Sequence, residues 1–201
     1  KELAMGLRML MKKFLLVLLA CFLVACGHSQ APAKLYGADI GGADFVGDFD
    51  LLDHHGAKRQ MTDYQGKVVV LFFGYTHCPD VCPTAMADMA KMMKLLGSDA
   101  NQVQVLFVTL DPERDSQQVL AKYVPSFDER FVGLYGNAQQ TAEVAKRYKV
   151  FFEKKDVAGK SGYTIDHSAG AFVFDKAGKV RIYFRNGQKP NEMASDLKQL
   201  L

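Results

Sequence analysis

The sequence predicts an α/β fold: a central mixed sheet flanked by helices, with an N-terminal β-hairpin. Three observations predict it. Residues 68–73 and 103–110 are apolar runs rich in β-branched and aromatic side chains, the pattern of strands buried on both faces. Each run leads into a turn and a candidate helix. The chain then closes with two strands across Lys176-Ala177-Gly178 and a last helix that opens near Pro190.

The elements follow in order. Residues 27–40 are small and polar, with Ala31-Pro32-Ala33, and Gly41-Gly42 comes next; this reads as a tether. Residues 45–52 roughly alternate and predict a strand. Asp53-His54-His55-Gly56 is a turn, and residues 58–61 return as a short strand. The two histidines read as a solvated hairpin tip rather than a metal site. Cys82, Met86, Met89, Met93 and Leu96 recur at helical spacing until Gly97 stops the run. The methionines at that spacing read as core, with Met92 on the flank. After residues 103–110, Asp111-Pro112-Glu113-Arg114-Asp115-Ser116 makes a turn. Asp115 or Ser116 can cap a helix over residues 117–124. Residues 131–135 form a short strand. Asn137 with Gln140 forms a capping box for a helix to Tyr148. Residues 150–154 are extended and 155–162 form a polar loop before the closing strands 169–175 and 179–185.

The chain has 201 residues, 23% charged and 49% hydrophobic, enough for a leader and one domain with a core. Its formal charge of +3 comes from Lys1, Arg8, Lys12 and Lys13 set against Glu2; everything from Cys26 on is formally neutral. A neutral domain lacks the basic footprint of a nucleic-acid binder. Residues 14–26 are uncharged and apolar but shorter than the roughly twenty residues a spanning helix needs. After Met11-Lys12-Lys13 they read as a secretory signal. Residues 1–10 read as an upstream extension, with Met5, Met9 or Met11 as candidate starts. Leu23-Val24-Ala25-Cys26-Gly27 resembles the lipobox of bacterial lipoproteins, where the cysteine becomes N-terminal and lipid-modified; an uncleaved anchor is the alternative. Both readings put the domain outside the cytoplasm and tether it to a membrane. The lipobox implies a bacterial envelope, facing the periplasm or the exterior. The expected parts are therefore 1–26 (extension and signal), 27–43 (tether) and 44–201 (domain).

Cys21 lies inside the apolar signal and Cys26 goes to lipid, which leaves Cys78 and Cys82 for chemistry. They stand at a strand-to-helix turn, where the positive end of a helix dipole favours thiolate. Residues four apart on a helix are about 6 Å apart at Cα, within disulfide reach, and an oxidising compartment would pair an idle Cys78–Cys82. Two sulfurs with a neighbouring histidine suit Cu(I); zinc and a bare thiol pair are rivals. His167 is a candidate third group because it precedes a strand that can face the cysteine turn across the sheet. Spacing alone does not separate it from a surface histidine. His77 can lower the pKa of Cys78 or point to solvent. Asp80 can orient a ligand or solvate the turn. Asp111, Arg114 and Asp115 read as fixing a turn and cap, with docking as the other role open to them.

Lys67 to Pro83, including Gly74-Tyr75-Thr76-His77-Cys78-Pro79-Asp80-Val81-Cys82-Pro83, closely resembles the Sco/SenC family of cytochrome c oxidase assembly. So do Val108-Thr109-Leu110-Asp111-Pro112-Glu113-Arg114-Asp115 and Ile165-Asp166-His167-Ser168. The resemblance covers residues 44–201 and implies a thioredoxin-like fold. It implies a copper site made of Cys78, Cys82 and His167, taking Cu(I) and also Cu(II). It further implies a metallochaperone that delivers copper to the dinuclear site of oxidase subunit II. The alternative it leaves is a thiol-disulfide reductase, with Cys78 and Cys82 as the redox pair, keeping that site's cysteines reduced. Other periplasmic thiol-disulfide or copper carriers would be further partners. A thioredoxin-type enzyme would instead carry Cys-x-x-Cys and a facing cis-proline. Here three residues intervene, and no proline lies between Lys154 and Lys189. A peroxiredoxin-type peroxidase is a weaker third reading.

Overall fold

The computed structural model describes residues 34–43, 48–156 and 162–201. In chain order the strands are β1 (Ala38–Asp39), β2 (Leu51–Asp53), β3 (Lys58–Arg59), β4 (Val68–Gly74), β5 (Val103–Thr109), β6 (Val132–Tyr135), β7 (Phe152–Asp156), β8 (Tyr163–His167), β9 (Ala171–Phe174) and β10 (Val180–Phe184). The α-helices are α1 (Val81–Leu96), α2 (Gln117–Tyr123), α3 (Ala138–Arg147) and α4 (Pro190–Lys198). The sheet runs β1-β10-β9-β4-β5-β6-β2-β3, and β7 pairs with β8 as a separate ribbon.

The two runs lie at the centre because they are almost wholly apolar, and the polar Gln104 and Thr109 of β5 are buried with internal hydrogen-bond partners. β4 and β5 pair in parallel from Val68 opposite Val103 to Gly74 opposite Thr109. β5 also pairs in parallel with β6, whereas β9 meets β4 antiparallel, so the sheet is mixed. Side chains alternate across a strand. Val68, Val70 and Phe72 therefore pack into one layer with α1, α2 and α4. Val69, Leu71 and Phe73 pack into the other with α3, Phe49 and Met61. The expected hairpin is β2–β3, on the far edge beyond β6. Ser116 caps α2 by accepting from the Val119 N–H, and Asn137 with Gln140 forms the predicted capping box on α3. Gly97 ends α1 at φ 60°, a left-handed conformation that glycine adopts freely.

Four expectations need correction. The stretch read as a tether is part of the sheet where it is described: Ala38 and Asp39 pair with Tyr183 and Ile182. The buried Asp196 carboxylate secures it, accepting from the Tyr36 and Gly37 N–H groups at 2.9 and 2.7 Å. Met92 is buried rather than flanking, because α1 packs against α4 as well as the sheet and so buries a wider stripe. Residues 152–156 and 163–167 pair along their length, so Lys155 and Asp156, expected in the loop, belong to a ribbon. His54 is not solvated. It is 5% exposed, and its Nδ1 accepts from the Gly133 N–H at 2.9 Å, tying the hairpin to β6. The leader, Cys26, residue 44, residues 45–47 of the predicted first strand and residues 157–161 lie outside the described residues.

Candidate metal centre

β4 ends at Gly74, and the chain turns through Tyr75-Thr76-His77 into α1. Gly74 is required by the cysteine behind it. A Cβ there would stand 3.0 Å from Cys82 Sγ, Phe107 Cε2 and Phe72 Cε1 at once. Cys82 occupies the first turn of α1 and is fully buried; Cys78 precedes the helix and is half-buried. No side chain caps α1. Instead the Cys82 N–H points at Cys78 Sγ, 3.4 Å away. Burial pushes the Cys78 thiol up, but the backbone N–H groups of Cys82, Asp80 and Val81 outweigh it and leave the pKa below the ordinary value. Burial raises that of Cys82 strongly. Both are free thiols here, the reduced form of the pair.

His167 arrives at the end of β8, paired opposite Phe152. Its Nε2 lies 3.4 Å from Cys82 Sγ. Its Nδ1 lies 3.0 Å from the Ser168 carbonyl oxygen, an acceptor only, so Nδ1 carries the proton and Nε2 presents its lone pair to the sulfur. Burial, the largest cause, lowers the His167 pKa, opposed by the Ser168 carbonyl and Asp166. The ring is therefore neutral near pH 7 and able to ligate. An outer hydrogen bond that fixes the tautomer is the arrangement metal-binding histidines use. Tyr75 stands edge-on to the ring, with centroids 6.0 Å apart. Two thiols and a neutral imidazole fit a soft monovalent metal. Among the described residues these three donor atoms do not all lie within 4.8 Å of one another. A metal held by all three would draw them closer.

The other candidates are placed elsewhere. His77 is exposed, with Nδ1 3.1 Å from the Thr76 hydroxyl and 3.7 Å from Asp115. With buried Asp111 and Asp115 it forms a group whose ligand atoms lie within 4.8 Å, but both carboxylates are already taken up by internal donors. Asp80 is exposed and accepts weakly from the Thr84 hydroxyl at 3.4 Å. The methionines of α1 are core. Sequence reasoning misses Tyr75, Tyr163 and the Ser168 carbonyl, whose roles depend on tertiary placement. The adjacency of Tyr75 and Ser168 to the cysteine and histidine motifs is the one signal available.

A family model described as SCO1/SenC matches residues 37–201. The chain belongs to the SCO1/SenC family. The bovine (Bos taurus) mitochondrial SCO2 homolog is 34% identical over 155 residues, covering 76% of this chain. The match spans only 58% of that relative's length. Among solved structures, Bradyrhizobium japonicum ScoI with copper bound is 37% identical, with a TM-score of 0.71 over 77% of this chain and 98% of its own. BsSco, described as a member of the Sco family of cytochrome c oxidase assembly proteins, shares the fold. Its TM-score is 0.64 at 20% identity, over 83% of this chain and 98% of its own. The thioredoxin-like fold expected for this SCO1/SenC chain is thus the one observed. No helix among its described residues is long and apolar enough to cross a membrane.

Proposed function

We propose that this chain is a membrane-tethered, extracytoplasmic metallochaperone that carries one copper ion on Cys78, Cys82 and His167. Its client is cytochrome c oxidase subunit II, whose dinuclear copper site it helps assemble. The observation that carries this reading is the neutral His167 Nε2, held 3.4 Å from Cys82 Sγ by a hydrogen bond on the ring's other side. A plain dithiol protein has no use for that tautomer. Family membership and the copper-bound ScoI relative support the cargo. The thiolates hold Cu(I), and the imidazole adds affinity and helps accept Cu(II). A Cys78–Cys82 disulfide excludes the metal, so the pair must be reduced before loading, by exchange with a periplasmic dithiol carrier that leaves as the disulfide; a copper carrier would then supply the ion. Lipidation at Cys26 anchors the domain to the bacterial envelope, facing the periplasm or the exterior.

The second reading is a thiol-disulfide reductase, favoured by the lowered pKa of Cys78. The Cys78 thiolate attacks a client disulfide and forms a mixed disulfide. Cys82, giving up its proton, then attacks Cys78 Sγ. The client leaves as a dithiol, and Cys78–Cys82 becomes the disulfide. A strain lacking the chain, assayed for oxidase activity with and without added copper, separates the two. Rescue by copper supports delivery; failure of rescue supports reduction.

A further inference from the structure

The turn between β5 and α2 touches both halves of the candidate centre. On one side Asp115, fully buried, holds the cysteine loop. Its carboxylate accepts from the Thr76 N–H at 2.9 Å, the Thr76 hydroxyl at 2.6 Å and the Thr109 hydroxyl at 2.6 Å. On the other side Asp111 and Arg114 hold β8. The Tyr163 hydroxyl donates to Asp111 Oδ1 at 2.7 Å, and Arg114 Nε donates to the second Asp111 oxygen. Arg114 also donates to the Tyr163 carbonyl at 2.9 Å, and its guanidinium lies 3.7 Å from the centre of the Tyr163 ring. One planar cation thus grips the backbone carbonyl and the ring face of Tyr163 and braces the Asp111 carboxylate that holds its hydroxyl, a fork that lysine cannot imitate.

The grip matters because of how the ribbon is attached. β7 and β8 pair with each other and not with the main sheet. Side-chain contacts, with the Ile165 N–H on the Tyr75 hydroxyl at 3.2 Å, replace a backbone ladder. Tyr163 begins β8 and His167 ends it. A strand is stiff along its length, so a tilt at Tyr163 moves the imidazole at the other end. The thiols, one on the turn after β4 and one on the first turn of α1, lie outside the ribbon and stay where they are.

We propose that Asp111, Arg114 and Tyr163 are positioning residues: a latch that sets the distance from His167 to the thiol pair and, by opening, withdraws the third donor during copper transfer. The proposal rests on the copper reading and adds its regulation. Opening converts a three-donor site into a two-donor one without disturbing the central sheet, which is the step a carrier needs in order to release a tightly held ion.

The test uses the full reduced chain, Cu(I) alone as probe, and the variants Tyr163→Phe and Arg114→Lys. Tyr163→Phe removes only a hydroxyl, so it decides the matter if Arg114→Lys fails to fold. Amide exchange of residues 164–167 in the metal-free protein should rise about tenfold or more, as loss of a hydrogen bond to a charged group predicts. Cu(I) affinity, measured by chelator competition, should fall by a similar factor with His167 present. In a His167→Ala background the same changes should leave Cu(I) affinity unmoved, because the latch acts through His167. Unaltered exchange overturns the proposal. So does an equal loss of affinity in both backgrounds, which would mark a general structural role. If the unaltered chain takes no Cu(I), the copper reading fails by itself. The exchange rates and the imidazole nitrogen shifts of His167 in the variants then still decide whether the latch positions that ring.

Discussion

The Nε2 of His167 and the Sγ of Cys82 lie 3.4 Å apart although 85 positions separate them in the chain. The contact joins a buried helical sulfur to the last residue of a ribbon outside the main sheet. His167→Ala removes a donor without touching either thiol. Loss of an outer partner of a metal ligand costs ten- to a hundredfold in affinity, so loss of the ligand itself should cost about a hundredfold or more. Cu(I) competition should show that loss, while dithiol exchange by Cys78 continues at an unchanged rate. Unchanged Cu(I) affinity would remove His167 from the ligand set.

Cys78 and Cys82 should differ as nucleophiles. The N–H groups of the first turn of α1 lower the pKa of half-buried Cys78, and burial raises that of Cys82. Iodoacetamide added to the reduced protein at pH 7 should label Cys78 first. The labelling rate should rise through a midpoint below the ordinary thiol value near 9. Peptide mapping after short exposure checks the order, and denatured protein should label at both sites. Equal labelling in the native state would show that the helix terminus does not discriminate.

His54 should make stability depend on pH. Burial, with the neighbouring His55, lowers its pKa from 6.5 against the pull of Asp53. The Gly133 N–H donates to its Nδ1, which requires that nitrogen unprotonated. Below pH 6.5 the unfolded chain takes up a proton that the folded one refuses. Stability is therefore complete above that value and is lost as pH falls through the folded pKa, by at most about 1.4 kcal/mol per pH unit. His54→Asn keeps an acceptor near the Nδ1 position and cannot titrate. Urea unfolding between pH 7 and 5 should show a shallower decline for the variant. Parallel curves would exclude His54 as a source of the slope.

How much of this is legible in the sequence depends on how local the cause is. β4 and β5 are legible because burial on both faces leaves a nearly unbroken apolar run, and α1 and α3 because Gly97 and the Asn137–Gln140 box mark helix ends with local chemistry. Cys78 and Cys82 are legible because they stand four positions apart at one strand-to-helix turn, although Cys78 falls just before the helix rather than on it. His167 is not, since its value comes from Cys82 and the Ser168 carbonyl meeting it in space; only likeness to a family points to it. His54 looks like a solvated turn residue until β6 is seen to present a backbone N–H to it. Arg114 and Tyr163 are 49 positions apart, and nothing near either one announces the other.

Asp196 shows the same limit at the domain's edge and gives the last test. Residues 36 and 37 look like tether because they follow a small, polar stretch and stand close before Gly41-Gly42. Yet both of their N–H groups donate to a carboxylate that is 0% exposed, at 2.9 and 2.7 Å. A carboxylate offers two acceptor oxygens, one for each N–H. Asparagine offers one, and its amide would set a donor against the other N–H. Asp196→Asn should therefore cost about 2–3 kcal/mol, the range for a buried hydrogen bond to a charged group with a donor left unmet. Because β1 is held to the sheet by one short pairing with β10, amide exchange at residues 36–40 should accelerate well before that of β4 or β5. Chemical unfolding with site-resolved exchange checks both. An Asn variant as stable as the parent, with residues 36–40 equally protected, would mean that the β1–β10 pairing alone holds the edge.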